Sequence, residues 1–182
     1  GHSAQLTDLL GNHAFGDDEV SYECSFVCIP KDVPYRSRRV TPKPRIHGLL
    51  SGVVVGAEGQ EIHSDLHCRV RVQMRWDRLG TLDERSSCFV RVLQPWAGAG
   101  FGALFLPRVG MEVAIAFLDG DPDRPIVSGC FYNADNPPPY TESADWTKST
   151  LKSKSSPASS DGADHYNELR FEDAAGSEQI FI

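Results

Sequence analysis

The residues of this chain whose types and spacing could do chemistry fall into a few groups. Asp119, Asp121 and Asp123 occupy the first, third and fifth places of a calcium loop. Such a loop turns sharply at a glycine in its sixth place and closes on a bidentate glutamate in its twelfth. Those places hold Arg124 and Cys130, so a solvated turn is expected instead. His63, His67 and Cys68 could supply one corner of a zinc site, but no second pair of ligands follows at a usual spacing. Gly98, Gly100 and Gly102 lack the dinucleotide-binding spacing, in which the third glycine opens a helix. Bends or close backbone approach within a barrel are expected there. The carboxylate pairs Asp83–Glu84 and Glu172–Asp173 read as turn surface, and the chain has no Gly-x-Ser-x-Gly elbow, His-Glu-x-x-His helix or phosphate-binding loop. These residues predict no catalytic set, no cofactor and no metal.

What the pattern does support is pairing of strands. Apolar residues recur at every second place, or in short runs, in CRVRVQMRW (68–76), SCFVRVLQP (87–95), ALFLP (103–107), EVAIAFL (112–118) and PIVSGCF (125–131). LLSGVVVG (49–56) leads into them. Breakers lie between, at 77–84, 98–102, 107–110 and Asp119-Gly120-Asp121-Pro122. Helical periodicity is absent from this stretch. The expectation is an all-β protein built on a compact antiparallel barrel with tight loops.

The 182 residues, 40% hydrophobic and 24% charged, fit a globular protein of one or two domains. A net charge of -7 disfavours a general nucleic-acid binder, which neutralises phosphates with a basic face. Apolar runs are too short for a membrane-spanning helix, and the start has no signal-peptide layout, so classical export is not expected. Both ends, Gly1-His2-Ser3 and Gln179-Ile180-Phe181-Ile182, read as excision points. Of the five cysteines, Cys24 and Cys28 share a strand face roughly 13 Å apart, beyond disulfide reach, and free, mostly buried thiols are expected.

Before the barrel, a strand is expected at 20–29. A basic segment spaced by Pro34, Pro42 and Pro44 follows, carrying Arg36, Arg38, Arg39, Lys43 and Arg45. Proline holds it extended, and it reads as a connector lying across a neighbouring domain. After 133 a Pro/Ser/Lys-rich stretch reads as a linker or strap. Beyond it, NELRFED and SEQIFI bracket a short turn, with Leu169 and Phe171 on one side and Ile180 and Ile182 likewise. A lone hairpin exposes unpaired edges, so strands from identical copies are expected to complete it.

These strings together carry a family likeness. IHSD, VRVQMRWDRLG, the run from Asp83 to Tyr140, LKSKSS and YNELRFED resemble the VgrG spike proteins of the bacterial type VI secretion system. The preceding VPYRSRRVTPKPRIHG is similar to the segment that enters the barrel in that family. The likeness covers about residues 20–182. It implies a trimer related to the central spike of contractile phage tails. The implied domains are an expression remnant or flexible start at 1–19, the end of a hub-like β domain with its connector at 20–47, an OB-fold barrel at 48–133, a linker at 134–166 and the start of a triple-stranded β-helix needle at 167–182.

The likeness further implies a structural, non-enzymatic spike that punctures membranes on the end of the secretion tube and carries effectors. Its partners would be two identical subunits, the tube ring protein, and a tip protein, effector or adaptor at the needle end. Assembly would occur in the bacterial cytoplasm, with secretion through the type VI system. Leu169, Phe171, Ile180 and Ile182 would pack in the trimeric needle. His67 and Cys68 stand where the family usually has an acidic-aromatic-Gly turn, so that hairpin is expected to differ in shape. Because OB-folds commonly bind oligosaccharides or nucleic acids, the alternative is a recognition module using Trp76, Trp96 and Phe101. The favoured reading of those three is packing at the barrel surface or against neighbouring subunits. A lysozyme-like enzyme ranks third, because no space for an inserted domain lies between Asn133 and Tyr166.

Overall fold

The computed structural model describes residues 25, 26, 28–158 and 165–182. Contacts divide the chain between Lys43 and Pro44 into two units. In the first, the described residues are exposed and form neither helix nor longer strand, as the proline spacing predicts; a turn closes where the Val33 amide donates to the Pro30 carbonyl (3.0 Å). The strand expected at 20–29 and the Cys24–Cys28 argument fall largely outside the described residues.

The second unit holds ten strands and no α-helix among its described residues: β1 (Leu50–Val55), β2 (Arg71–Met74), β3 (Arg91–Val92), β4 (Trp96–Ala97), β5 (Gly102–Ala103), β6 (Glu112–Phe117), β7 (Pro125–Phe131), β8 (Lys148–Lys152), β9 (Glu168–Glu172) and β10 (Gln179–Phe181). Five of them form one sheet in the order β2-β1-β6-β7-β3, antiparallel except for the parallel β3–β7 pair. The sheet curls until its two ends meet. Val70 and Val90 exchange amide-to-carbonyl hydrogen bonds of 3.0 and 2.7 Å, joining the start of β2 to the start of β3. A five-stranded barrel of this connectivity is the OB-fold that the family likeness implied. A bulge at Ala114/Ile115, where Ser128 slips out of register and its hydroxyl donates to the Ala114 carbonyl (3.2 Å), supplies part of the curl.

Period-two alternation explains the interior. Val54, Val70, Val72, Val90, Val113, Ile115 and Val127 form the buried core, flanked by Met74, Val92, Leu106, Met111 and Phe117. β-branched side chains suit this layer because they pack on a pleated surface in few rotamers. Gly52 makes one contact of the layer possible: a Cβ there would lie 2.7 Å from Ile115 Cδ1 and 2.9 Å from the Gln73 carbonyl oxygen.

Outside the core layer, Gln73 is buried under the loop that joins β2 to β3. Its Oε1 accepts from the Leu82 amide (2.7 Å) and the Ser86 hydroxyl (3.0 Å), while Asp77 Oδ1 accepts from the amides of Leu79 and Gly80. The 77–84 breaker is thus an ordered cap on the barrel.

The expectation for ALFLP is corrected. It is not a barrel strand; chain from Trp96 to Ala103 makes the β4–β5 hairpin, and only Leu106 of the apolar run packs on the core. The reason is Gln94, which clamps the base of that hairpin through Nε2 to the Phe105 carbonyl (3.1 Å) and Oε1 from the Phe105 amide (3.0 Å), using up groups that a strand would have paired. The thiols are corrected too. Cys28, Cys68, Cys88 and Cys130 are free, but Cys68 is half-buried and the others are exposed. Cys88 precedes the Val70–Val90 bridge and Cys130 sits toward the end of β7, both outside the buried valine layer.

His67 and Cys68 lie in the turn that leads into β2. Cys68 adopts φ 54°, a left-handed conformation that favours glycine. Asp65 holds the turn, with Oδ1 accepting from the His67 and Arg69 amides and Oδ2 bonded to the Arg69 guanidinium (2.7 Å to Nε). Arg69 first, then those amides, pull the Asp65 pKa down to about 2. A carboxylate held below its unfolded value stabilises the fold above that value and loses its contribution as pH falls toward the folded one. Stability should therefore drop between about pH 4, the unfolded range, and about pH 2. Asp65→Asn should flatten that part of the curve in chemical denaturation across pH; an unchanged acid limb would contradict the assignment.

Candidate functional site

β8, β9 and β10 form a second, separate sheet in the order β10-β9-β8. β8, inside the stretch read as a linker, is an edge strand paired with β9 along its whole length. Its register matches Lys148 to Glu172, Thr150 to Arg170 and Lys152 to Glu168. The hairpin of β9 and β10 is therefore not alone, since its own chain supplies a third strand. The signal was present in KSTLK and ELRFE, whose charges complement each other when read antiparallel.

Cross-strand partners share a face, so register divides this sheet into two sides. Leu151 lies opposite Leu169, and Phe171 lies between Ser149 and Ile180. With Ile182 continuing the alternation, Leu151, Leu169, Phe171, Ile180 and Ile182 make one apolar side. It is left open: Leu151 is 60% exposed, Ile180 66% and Ile182 94%, with Phe171 at 42% and Leu169 half-buried. The structure thus brings the four sequence-predicted residues together and adds Leu151.

The opposite side is polar and covered by the strap that follows β7. The Tyr140 hydroxyl donates to Glu168 Oε1 (2.6 Å) and accepts from Arg170 Nη1 (3.0 Å), while the Thr150 hydroxyl donates to the same Glu168 oxygen (2.8 Å). Only 1% of the Glu168 side chain is exposed. Hydrogen bonds from Tyr140 and Thr150, with Arg170 nearby, hold its carboxyl below the usual range. Lys148 pairs with Asp145 and lies 5.0 Å from the centre of the Tyr140 ring. Thr147 bonds Glu172, whose pKa that bond lowers most, and the Arg170 guanidinium stacks 4.7 Å over Phe181. Tyr140 and the Glu168–Arg170 pair were missed in the sequence because their partners lie 28 and 30 residues away.

On the barrel, Trp76, Trp96 and Phe101 are each about two-thirds exposed. Trp96 and Phe101 meet edge to face at 5.8 Å on the β4–β5 hairpin, whereas Trp76 stands beyond the end of β2. Gly98 permits this, since a Cβ there would come 2.4 Å from the Phe101 ring, and Gly102, at φ 141°, passes against the Trp96 carbonyl. These glycines do provide bends and close approach. His63 stacks on Phe89 at 5.7 Å and contacts Gln60 through Nδ1, while Asp119 pairs with Arg124 (2.7 Å) at the β6–β7 turn. A crevice of about 640 Å³ separates the barrel wall at Met111, Cys130 and Tyr132 from the sheet's base at Lys152 and Tyr166.

Comparison with known proteins places this geometry. Residues 50–132 match the family described as the type VI secretion system/phage-baseplate injector OB domain. The type VI secretion system spike protein VgrG4b of Pseudomonas aeruginosa is 51% identical over 166 residues, covering 91% of this chain and 20% of that protein. VgrG5 of the same organism is 44% identical over 167 residues, covering 92% of this chain and 21% of its own length. The actin cross-linking toxin VgrG1 of Vibrio cholerae is 42% identical over 167 residues, covering 92% of this chain and 15% of that toxin. The chain spans about a fifth or less of the length of these relatives.

Proposed function

We infer, from a chain that belongs to the VgrG family of type VI secretion spike proteins, that it forms the barrel and shaft root of a homotrimer that punctures membranes from the end of the secretion tube. The observation that carries this is the two-sided sheet: polar and strapped on one side, apolar and open on the other, ending on the unpaired edge of β10. Three copies placed around a threefold axis bring three such apolar sides together, and strands continuing from β10 would close its edge. Burial of each side chain contributes roughly 1.5–3 kcal/mol. The resulting shaft resists bending because its strands are paired and its interior is packed. Work is done by pushing, with no bond made or broken, so the chain acts as a structural element and not an enzyme.

On this reading, 20–47 ends the hub-like domain, 48–133 is the barrel, and the shaft root begins at β8 within the 134–166 strap, ahead of 167–182. The tube ring protein lies beneath the hub, and a tip protein with an effector or adaptor lies at the far end. Assembly takes place in the bacterial cytoplasm and export through the type VI system. Among the described residues, no helix is long and apolar enough to cross a membrane; passage is transient and mechanical. The toxin activity in the name of the Vibrio cholerae relative belongs to that protein, of which the shared segment is 15%.

The test is mass in solution. A version extended C-terminally through the shaft should sediment as three copies across a wide dilution range. A single-copy mass for that version, with the sheet folded, would remove the spike reading.

A further inference from the structure

We propose that Tyr140 is a positioning residue that folds the β8–β10 sheet within the single chain, so that copies dock preformed apolar faces instead of folding their strands together. The proposal rests on the shaft-root reading above, and it concerns the order of events in assembly.

The geometry points to it from both ends of the strap. Where the strap leaves β7, Asn133 Nδ2 donates to Glu112 (2.7 Å) and Asn136 Nδ2 donates to the Gly110 carbonyl (3.2 Å), anchoring the chain to the barrel. Pro137, Pro138 and Pro139 follow, a stiff extended spacer with few conformations to lose. Tyr140 comes next, and its hydroxyl is inserted between Glu168 and Arg170 on the polar side of β9. A second attachment lies just beyond the Lys152–Glu168 end of the β8–β9 hairpin, where Arg108 Nη2 donates to the Lys154 carbonyl (2.7 Å) and the Ala158 amide to Glu61 Oε1 (2.6 Å).

Chemistry gives Tyr140 the decisive place. Glu168 is a buried carboxylate, tolerated only while its oxygens are hydrogen-bonded and its charge is compensated. Thr150 of β8, Arg170 of β9 and Tyr140 of the strap meet those needs jointly, with Lys152 adding charge from β8. Lys148, Lys152 and Arg170 also surround the tyrosine ring at 5.0, 5.8 and 5.9 Å. Removing the hydroxyl takes a donor from Glu168 and an acceptor from Arg170 while leaving the ring in place. The apolar side is therefore presented outward by what is satisfied on the reverse side, before another copy arrives.

Amide hydrogen exchange on this chain, at dilutions where its mass is that of one copy, tests the idea. Lys148–Lys152 and Glu168–Glu172 should exchange slowly in the single chain. Tyr140→Phe should speed their exchange by about ten- to a hundredfold, the expected cost of an unsatisfied buried charge partner. Exchange in β6 should stay unchanged. Glu168→Leu breaks the same contact from the other side together with the Thr150 bond and the Arg170 pairing, and because the Tyr140–Glu168 bond is lost in each, the double variant should fall short of the sum of the two single effects. Three results would each overturn the proposal: unchanged exchange in Tyr140→Phe, additive effects in the double variant, or protection that appears only when copies associate. The spike reading fails separately, on a single-copy mass for the extended chain, whatever the exchange shows.

Discussion

Phe171→Asp should abolish trimer assembly: the extended chain carrying it sediments as a single copy at concentrations where the unsubstituted chain is threefold. Phe171 sits on the middle strand of the open apolar side, between Ser149 and Ile180, so in the proposed trimer it is the ring that other copies would meet most directly. Each copy loses roughly 1.5–3 kcal/mol of apolar burial. The larger effect comes from three carboxylates brought toward one axis, where each is desolvated and repelled by the other two. The folded barrel should be untouched, since Phe171 is not in its core. Leu79→Asp is the matched control. Leu79 is 93% exposed in the β2–β3 loop, and the same charge there should leave assembly intact. Threefold mass in both variants would show that the apolar side of the second sheet is not what joins the copies.

Gly52→Val should destabilise the barrel by about 3 kcal/mol or more, the upper end of what forced overpacking costs. Two obstacles stand in the way of any side chain at this place. One is the tip of Ile115, which could move, and the other is the Gln73 backbone carbonyl, which is held in the β1–β2 ladder. The two are separable by a second substitution. Ile115→Val removes Cδ1 at its own cost of about 0.5–1.5 kcal/mol. Combined with Gly52→Val, it should recover part of the loss and leave the backbone part, so the double variant falls short of the sum. Urea midpoints of the four proteins measure this directly. Strict additivity would mean that Ile115 and position 52 do not share the space the structure assigns to them.

Much of the barrel could be read without coordinates because its signal is local. Alternation in 68–76 and 112–118 marks which side of each strand is buried, and valine and isoleucine at those places leave few other ways to pack. The strand ends and the fate of ALFLP were a different matter. An apolar run says that residues seek burial, but Leu104 and Phe105 remain exposed because Gln94 closes the hairpin beneath them. A side chain that captures a backbone amide and carbonyl eleven residues away leaves no periodic trace.

The second sheet shows the same division. KSTLK has one apolar side chain and sits beside a Ser/Lys-rich run, so composition assigned it to a linker. Its strand character depends on Glu168, Arg170 and Glu172 lying opposite, which is a property of the pair and not of either segment. The sequence groups Trp76, Trp96 and Phe101 as barrel-surface or subunit contacts. The structure then showed that Trp96 and Phe101 meet each other while Trp76 lies on another element.

By itself, then, the sequence determined the all-β class, most of the barrel's strands, the family, and the four apolar side chains within 169–182, because each is written in short-range alternation or in ordered strings. Only the tertiary structure decided that the barrel closes through Val70 and Val90, that β8 joins β9, and that Tyr140 covers the polar side so that the apolar side faces outward. Those outcomes rest on hydrogen bonds between residues 15 or more apart, whose energies depend on where the chain returns and not on what lies next to it.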